Sequence, residues 1–267
     1  MKKKKVKQKN HFLLQANDKA IINYLMSSEK YKVIFSFSAV LALYGGFVIP
    51  IAIPNFWDAI PVIYSYFAFS IFFFAVIFIN HWIICSTLQR DFSFYIMRLK
   101  NKTEYVRFLI RISVWMYLIQ FFIILLFVLM ALCLTKFGNF EIYPFSFGIG
   151  SYEISNFVYL LFYLCKFLLF GAMIIVLMTL CFINFRKIVL LISETVFLMI
   201  FVAQITPMFY SRISVNLWSI FVGSFYSSFS LDIASALLLL LILEVVIFVL
   251  YRFTIHNQKV EISWNIF

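Results

Sequence analysis

Residues 112–135 read ISVWMYLIQFFIILLFVLMALCLT, with no charged side chain anywhere in the stretch. As a helix rising 1.5 Å per residue it is about 36 Å long, enough to cross a bilayer hydrocarbon core about 30 Å thick. A chain in that core has to satisfy its own backbone N–H and C=O groups, and a continuous apolar run of this length does so as an α-helix. Five comparable runs lie at 33–54, 62–85, 157–183, 188–208 and 233–251. Composition points the same way: 64% of the 267 residues are hydrophobic, 12% are charged and 36 are phenylalanine, leaving too little polar surface to cover a globule in water. The expected fold is an all-α integral membrane protein, a single transmembrane domain over 1–267 with six transmembrane helices.

Net charge is +11, and the 22 basic residues gather in short segments, nine of them within the first 32 positions. The others fall mainly at Arg90, Arg98, Lys100, Lys102, Arg107 and Arg111, at Arg186 and Lys187, and at Arg252 and Lys259. Alternate loops are almost bare: one carries Asp58, one Lys136 with Glu141 and Glu153, one Arg212 with Asp232. Lysine and arginine favour the cytoplasmic side of a span, so this alternation predicts both termini in the cytoplasm and basic segments against anionic lipid, with no nucleic acid involved. The lysine-rich start does not read as a signal peptide, because the first long apolar run begins only near Val33 and lacks a small-residue cleavage pattern. Cys85, Cys133, Cys165 and Cys181 sit inside apolar runs without metal or redox spacing and read as small packing residues.

Three further segments are neither spans nor simple loops. Residues 10–32 mix Phe12, Leu13, Ile21, Ile22, Leu25 and Met26 with Asp18, Lys19, Glu29 and Lys30, a pattern suited to an amphipathic helix lying in the membrane interface. Residues 88–107 interleave Phe92, Phe94, Tyr95, Ile96, Met97 and Leu99 with Asp91, Arg98, Lys100, Lys102 and Glu104, a short charged elbow able to dock a soluble partner. Residues 210–231 are too apolar for a solvated loop and too interrupted for a span, and are expected to dip partway back into the outer leaflet.

Together these features resemble the permease subunit of a type-2 ABC exporter, the bacterial kind whose ATPase is a separate chain. The resemblance rests on the interfacial elbow helix before the first span, six spans with both ends inside, the segment QRDFSFYIMRLK at 89–100, a partly re-entrant outer segment and a short basic tail. It implies a cell-membrane protein of a low-GC Gram-positive bacterium that moves a hydrophobic or amphipathic substrate, such as an antimicrobial peptide. It also implies an ABC ATPase dimer on the cytoplasmic face, coupled through Gln89, Asp91, Tyr95, Arg98, Lys100, Lys102 and Tyr105, and a second permease copy or related permease. No G-x-x-x-x-G-K-[ST] loop occurs, so ATP and Mg are expected on the partner and no cofactor on this chain. Two other classes stay open: a stand-alone membrane-binding or bacteriocin-immunity protein without an ATPase, and an intramembrane enzyme. For the enzyme, His11, His81 and His256 are isolated and no H-E-x-x-H, C-x-x-C or G-x-S-x-G pattern is present.

Lys166, Glu194 and Glu244 lie within apolar runs, where an ionised side chain costs at least about 2.5 to 3.5 kcal/mol. Glu194 and Glu244 fall at a similar depth, roughly 10 to 12 Å inside the cytoplasmic boundary. They either line a polar vestibule that meets a cationic substrate or are neutralised by protonation or a basic residue near a helix end. Lys166 belongs to another layer, about 15 Å from the outer end of its span, and a direct ion pair with either glutamate is not expected. It either lines the substrate pathway, snorkels to lipid phosphate or satisfies local carbonyls.

Overall fold

The computed structural model describes residues 16–53, 55–65, 67–92, 102–136, 138–147, 150–184 and 229–256. In chain order these form α1 (Ala16–Ser27), α2 (Glu29–Val48), a 3-10 turn (Ile49–Ala52), α3 (Phe56–Ser65), α4 (Phe67–Asp91) and α5 (Lys102–Thr135). A two-stranded hairpin follows, β1 (Pro144–Phe147) and β2 (Gly150–Ser155), then α6 (Asn156–Asn184) and α7 (Phe229–His256). Among the described residues, five helical stretches are long and apolar enough to cross a membrane: Glu29–Ile51, Phe72–Asp91, Thr103–Thr135, Asn156–Asn184 and Asp232–His256. The chain is thus a helical, multi-pass membrane protein. The span expected at 188–208 and residues 210–228 of the expected re-entrant segment lie outside the described residues.

Local chemistry explains where the helices start. The Ser28 side chain accepts from Tyr31 N–H at 3.4 Å and opens α2, while its hydroxyl donates to Leu25 C=O at 2.7 Å and so closes α1. Asn55 accepts from Trp57 N–H at 2.8 Å at the head of α3, and Asn156 accepts from Phe157 N–H at 2.9 Å at the head of α6. α2 gives way at Val48 to the 3-10 turn, with Pro50 departing from helical geometry. In place of the single second span expected at 62–85 there are two helices, α3 and α4. The capped first turn at Asn55 starts α3 ahead of the apolar run, and α4 runs on to Asp91 because its last turn, although polar, is still packed.

The middle of the bundle is built on α5, which packs most extensively on α2 and then on α6; α3 and α4 close the remaining sides. Phe73, Phe74, Phe121, Phe167, Phe170, Tyr64 and Tyr117 fill the interior as a network of edge-on and tilted rings. Lipid supplies no hydrophobic drive between helices, so close backbone approach matters more. A side chain added at Gly46 would stand 2.5 Å from Ala131 Cβ, and one at Gly171 would collide with the Tyr117 ring and hydroxyl. The two ends of the bundle differ: one carries the hairpin, the other carries α1 and the arginines of α5.

α6 and α7 run parallel, since Phe162 meets Phe229 near their starts and Asn184 donates to Thr254 at 2.5 Å near their ends. Among the described spans α7 is the least enclosed. Leu237, Leu238, Leu241, Ile242, Val245, Val246, Phe248 and Val249 all face outward.

Candidate functional site

At the basic end, α1 turns its apolar face into the bundle. Ile21, Ile22 and Leu25 are buried in one cluster with Ile84 and Leu88 of α4, Val106, Leu109 and Ile112 of α5, and Ile183 of α6. Asp18, on the same face, is fully buried and forms an ion pair with Arg111 of α5: Nη2 donates to Oδ1 at 3.1 Å and Nε stands 2.7 Å from Oδ2. One turn and a half later, the Tyr24 hydroxyl donates to Asp91 Oδ2 at 3.1 Å and its ring stands edge-on to Phe92 at 5.1 Å. The Tyr24 hydroxyl is therefore harder to ionise than usual, chiefly because it bonds the Asp91 carboxylate. Arg90 completes the group, donating from Nε to Asp91 Oδ1 at 2.6 Å. Arg107 donates to the Tyr251 hydroxyl at 3.4 Å, reaching α7.

Of the residues expected to couple to an ATPase, Gln89 and Asp91 therefore stand on the last turn of α4, and Lys102 and Tyr105 on the first turn of α5. Tyr105 is buried between the arms, and Asp91 binds within the chain to Tyr24 and Arg90. Tyr95, Arg98 and Lys100 lie outside the described residues, as does Glu194. Glu244 is exposed on the outward face of α7.

Lys166 is buried, and its ammonium donates to Asp232 Oδ1 at 3.1 Å, with side-chain exposures of 2% and 0% for the pair. The Phe162 and Tyr163 rings lie 5.3 and 5.4 Å from Nζ. Sequence reading put Asp232 in an outer loop ahead of a span beginning at 233; the structure corrects this. Phe229 packs 5.0 Å from Phe162 and starts α7 four residues early, so Asp232 falls in the first turn, where Lys166 balances its charge. The lysine thus neither snorkels nor rests on carbonyls alone. Asp232 Oδ2 and the Tyr163 hydroxyl are buried without a hydrogen-bond partner.

Two other polar groupings went unnoticed in the sequence. Inside the bundle, Asn80 donates to Gln120 at 2.6 Å and Gln120 to Ser38 at 3.3 Å, tying α4, α5 and α2; His81 lies 3.1 Å from Thr179 Oγ1 and 3.4 Å from Cys85 Sγ. At the hairpin end, Asn55 and Asn156 both donate to Glu141 C=O, at 2.7 and 3.1 Å, and the Tyr143 hydroxyl donates to Asp58. Burial, reinforced by the bond to Asp58, pushes the Tyr143 phenol up to about 12. Burial also raises the Asp58 carboxyl, against the lowering effect of bonds from Tyr143 and Asn156. Asn55, just ahead of α3, and Asn156, the first residue of α6, were the available signal, since asparagine at a helix start caps it. Among the described residues, no group of three or more His, Cys, Asp or Glu side chains is placed to hold a metal ion. The chain matches no family model, no curated protein and no solved structure.

Proposed function

We propose that this protein is the permease subunit of a type-2 ABC exporter, moving a hydrophobic or amphipathic substrate under power from a separate ATPase dimer on the face that carries α1. The observation that carries this reading is the fastening of α1 to both arms of the 92–101 segment, through Tyr24 to Asp91 on α4 and through Asp18 to Arg111 on α5. A push on that segment would move α1, α4 and α5 as one body, as a coupling element requires. The parallel run of α6 and α7 supports the six crossings expected from the sequence, with 188–208 as the further apolar run. An even number of crossings puts both termini on the basic, cytoplasmic side.

The test is purification of the tagged chain from its host in mild detergent, with mass spectrometry of what remains bound. A stoichiometric ABC ATPase, and ATP hydrolysis stimulated by substrate, are the expected results. Replacing Asp91 or Arg98 should then uncouple transport while leaving membrane insertion intact. Recovery of the chain without an ATPase, under conditions that preserve other membrane complexes, would refute the proposal in favour of a stand-alone membrane-binding or immunity protein. Asp91, already bound to Tyr24 and Arg90, would in that case serve only to hold α1.

A further inference from the structure

Glu244 is the one polar side chain in the run ALLLLLILEVVIFVL at 236–250, and it is exposed on the least enclosed of the described spans. Among the described residues it makes no hydrogen bond and no ion pair. The nearest basic side chain along the helix, Arg252, is eight residues or about 12 Å away and lies over the Phe248 ring at 5.2 Å. A carboxyl left against hydrocarbon is costly, whether as a charge or as a polar group without a partner. Around Glu244 the helix face is built for another helix. Leu237, Leu241, Glu244 and Phe248 follow one another at steps of four, three and four, the spacing by which two helices interlock at a crossing near +20°. All four are exposed, the three apolar ones by 61, 59 and 56%. They stand off the stripe of Ala236, Leu239, Leu243 and Ile247 by which α7 packs on its own bundle.

What covers this face has to bring a hydrogen-bonding group to the depth of Glu244. A second copy of the chain, inserted in the same sense, does so by symmetry. Facing carboxyls are self-complementary when a proton lies between them, one O–H donating and the other oxygen accepting. Apolar contact alone gives little net drive between helices in lipid, so a polar group shared across the contact, with close side-chain packing around it, is what holds two helices together. A single polar position in an apolar seam also fixes register. We propose that α7 is a self-association helix, pairing in parallel with α7 of a second copy along Leu237, Leu241, Glu244 and Phe248, with the two Glu244 carboxyls meeting across the two-fold axis. This deepens the permease reading, which expects a second permease copy, by naming the helix that joins the two. The pairing needs no ATPase, so each fails separately.

The test uses the full chain, fluorescently tagged and reconstituted into phosphatidylcholine liposomes over a dilution series, with copies counted by single-molecule photobleaching. The chain should dimerise. Glu244→Leu should raise the protein density needed for half-dimerisation about tenfold and leave the melting temperature of the diluted chain unchanged, since the residue is exposed; Glu244→Gln, which can still hydrogen-bond to its counterpart, should stay within threefold of the parent. Oxidative cross-linking then locates the face, in a background where the exposed Cys133 and Cys165 are replaced by alanine. Leu241→Cys and Phe248→Cys should form disulfide dimers at least tenfold faster than Ile242→Cys and Val249→Cys, which stand on the other flank of α7. A chain that stays monomeric, or dimers that persist unchanged in Glu244→Leu, would overturn the proposal. So would a dimer in which 241 and 248 do not cross-link, because another face joins the copies or the 188–208 run covers this one. None of these results touches the permease reading, which falls only if no ATPase accompanies the chain.

Discussion

Removing one partner of the Asp18–Arg111 pair should release α1 from the bundle. The two oxygens and two nitrogens meet at 2.7 and 3.1 Å, and the side chains are 0% and 11% exposed, so solvent screens the pair little. At an effective dielectric of 20, unit charges about 3 Å apart attract by roughly 5 kcal/mol, and loss of one member of such a pair typically costs about 3–5 kcal/mol. Asp18→Asn and Arg111→Met should each fall near the lower end, because α1 also keeps Ile21, Ile22 and Leu25 in their apolar cluster. Hydrogen exchange of peptides covering α1 reads this opening directly, and with 1.4 kcal/mol per factor of ten a loss of about 3 kcal/mol accelerates exchange by roughly a hundredfold. The Asp18→Leu/Arg111→Met double variant should exchange within a few-fold of the parent, since matched apolar replacements of a buried pair are often neutral. Exchange within threefold of the parent in both single variants would refute the claim that the pair holds α1 down.

Gly171→Ala should destabilise the bundle by about 1–3 kcal/mol, because the added methyl meets the Tyr117 ring and hydroxyl. Adding Tyr117→Phe should do less harm in that variant than in the parent, where it breaks the bond to Phe167 C=O; melting temperatures of the four proteins form the cycle. The raised Asp58 carboxyl contributes stability below the ordinary carboxylate range that is lost as pH rises through its folded value. Asp58→Asn should flatten the melting profile between pH 3 and 7 and leave the protein no less stable at neutral pH; a steeper profile would contradict that sign. For Tyr143, raised to about 12, the contribution is present below about 10 and lost as pH climbs through 12. Tyr143→Phe should therefore remove an alkaline loss of stability seen in circular dichroism.

Hydropathy was enough to find the apolar parts of the five described spans, because the bilayer demands long unbroken runs and few sequences supply them by accident. The same criterion placed 157–183 within one residue of Asn156–Asn184 but misplaced other termini, among them the start of α7 at Phe229. A carboxylate three residues into a helix looks like a loop until its lysine is known, and Asp232 and Lys166 are 66 residues apart in the chain. Asp18 and Arg111, 93 apart, each looked like part of a solvated or lipid-facing charged face. Lys166 stood out because it interrupts a long apolar run, yet nothing in its neighbourhood named its partner. The hairpin was hidden for a different reason: Pro144–Phe147 and Gly150–Ser155 are short and mix polar with apolar residues, and the ladder is continued outside the strands by Asn156 N–H to Tyr143 C=O.

α5 has a length that sets a distance. Its 34 residues extend about 51 Å, against a hydrocarbon slab of about 30 Å. With Thr135 at one surface of that slab, Arg111 stands about 36 Å along the axis, within the headgroup layer of the opposite surface, and Lys102 about 50 Å along, clear of it. α1, held to Arg111 and bonded to the last residue of α4, thus lies like a collar at headgroup level while the start of α5 projects past Arg111 by roughly two turns. A soluble protein gripping that tip would work at the end of a short mast, out of reach of the lipid surface, and the collar fixes where the mast pivots.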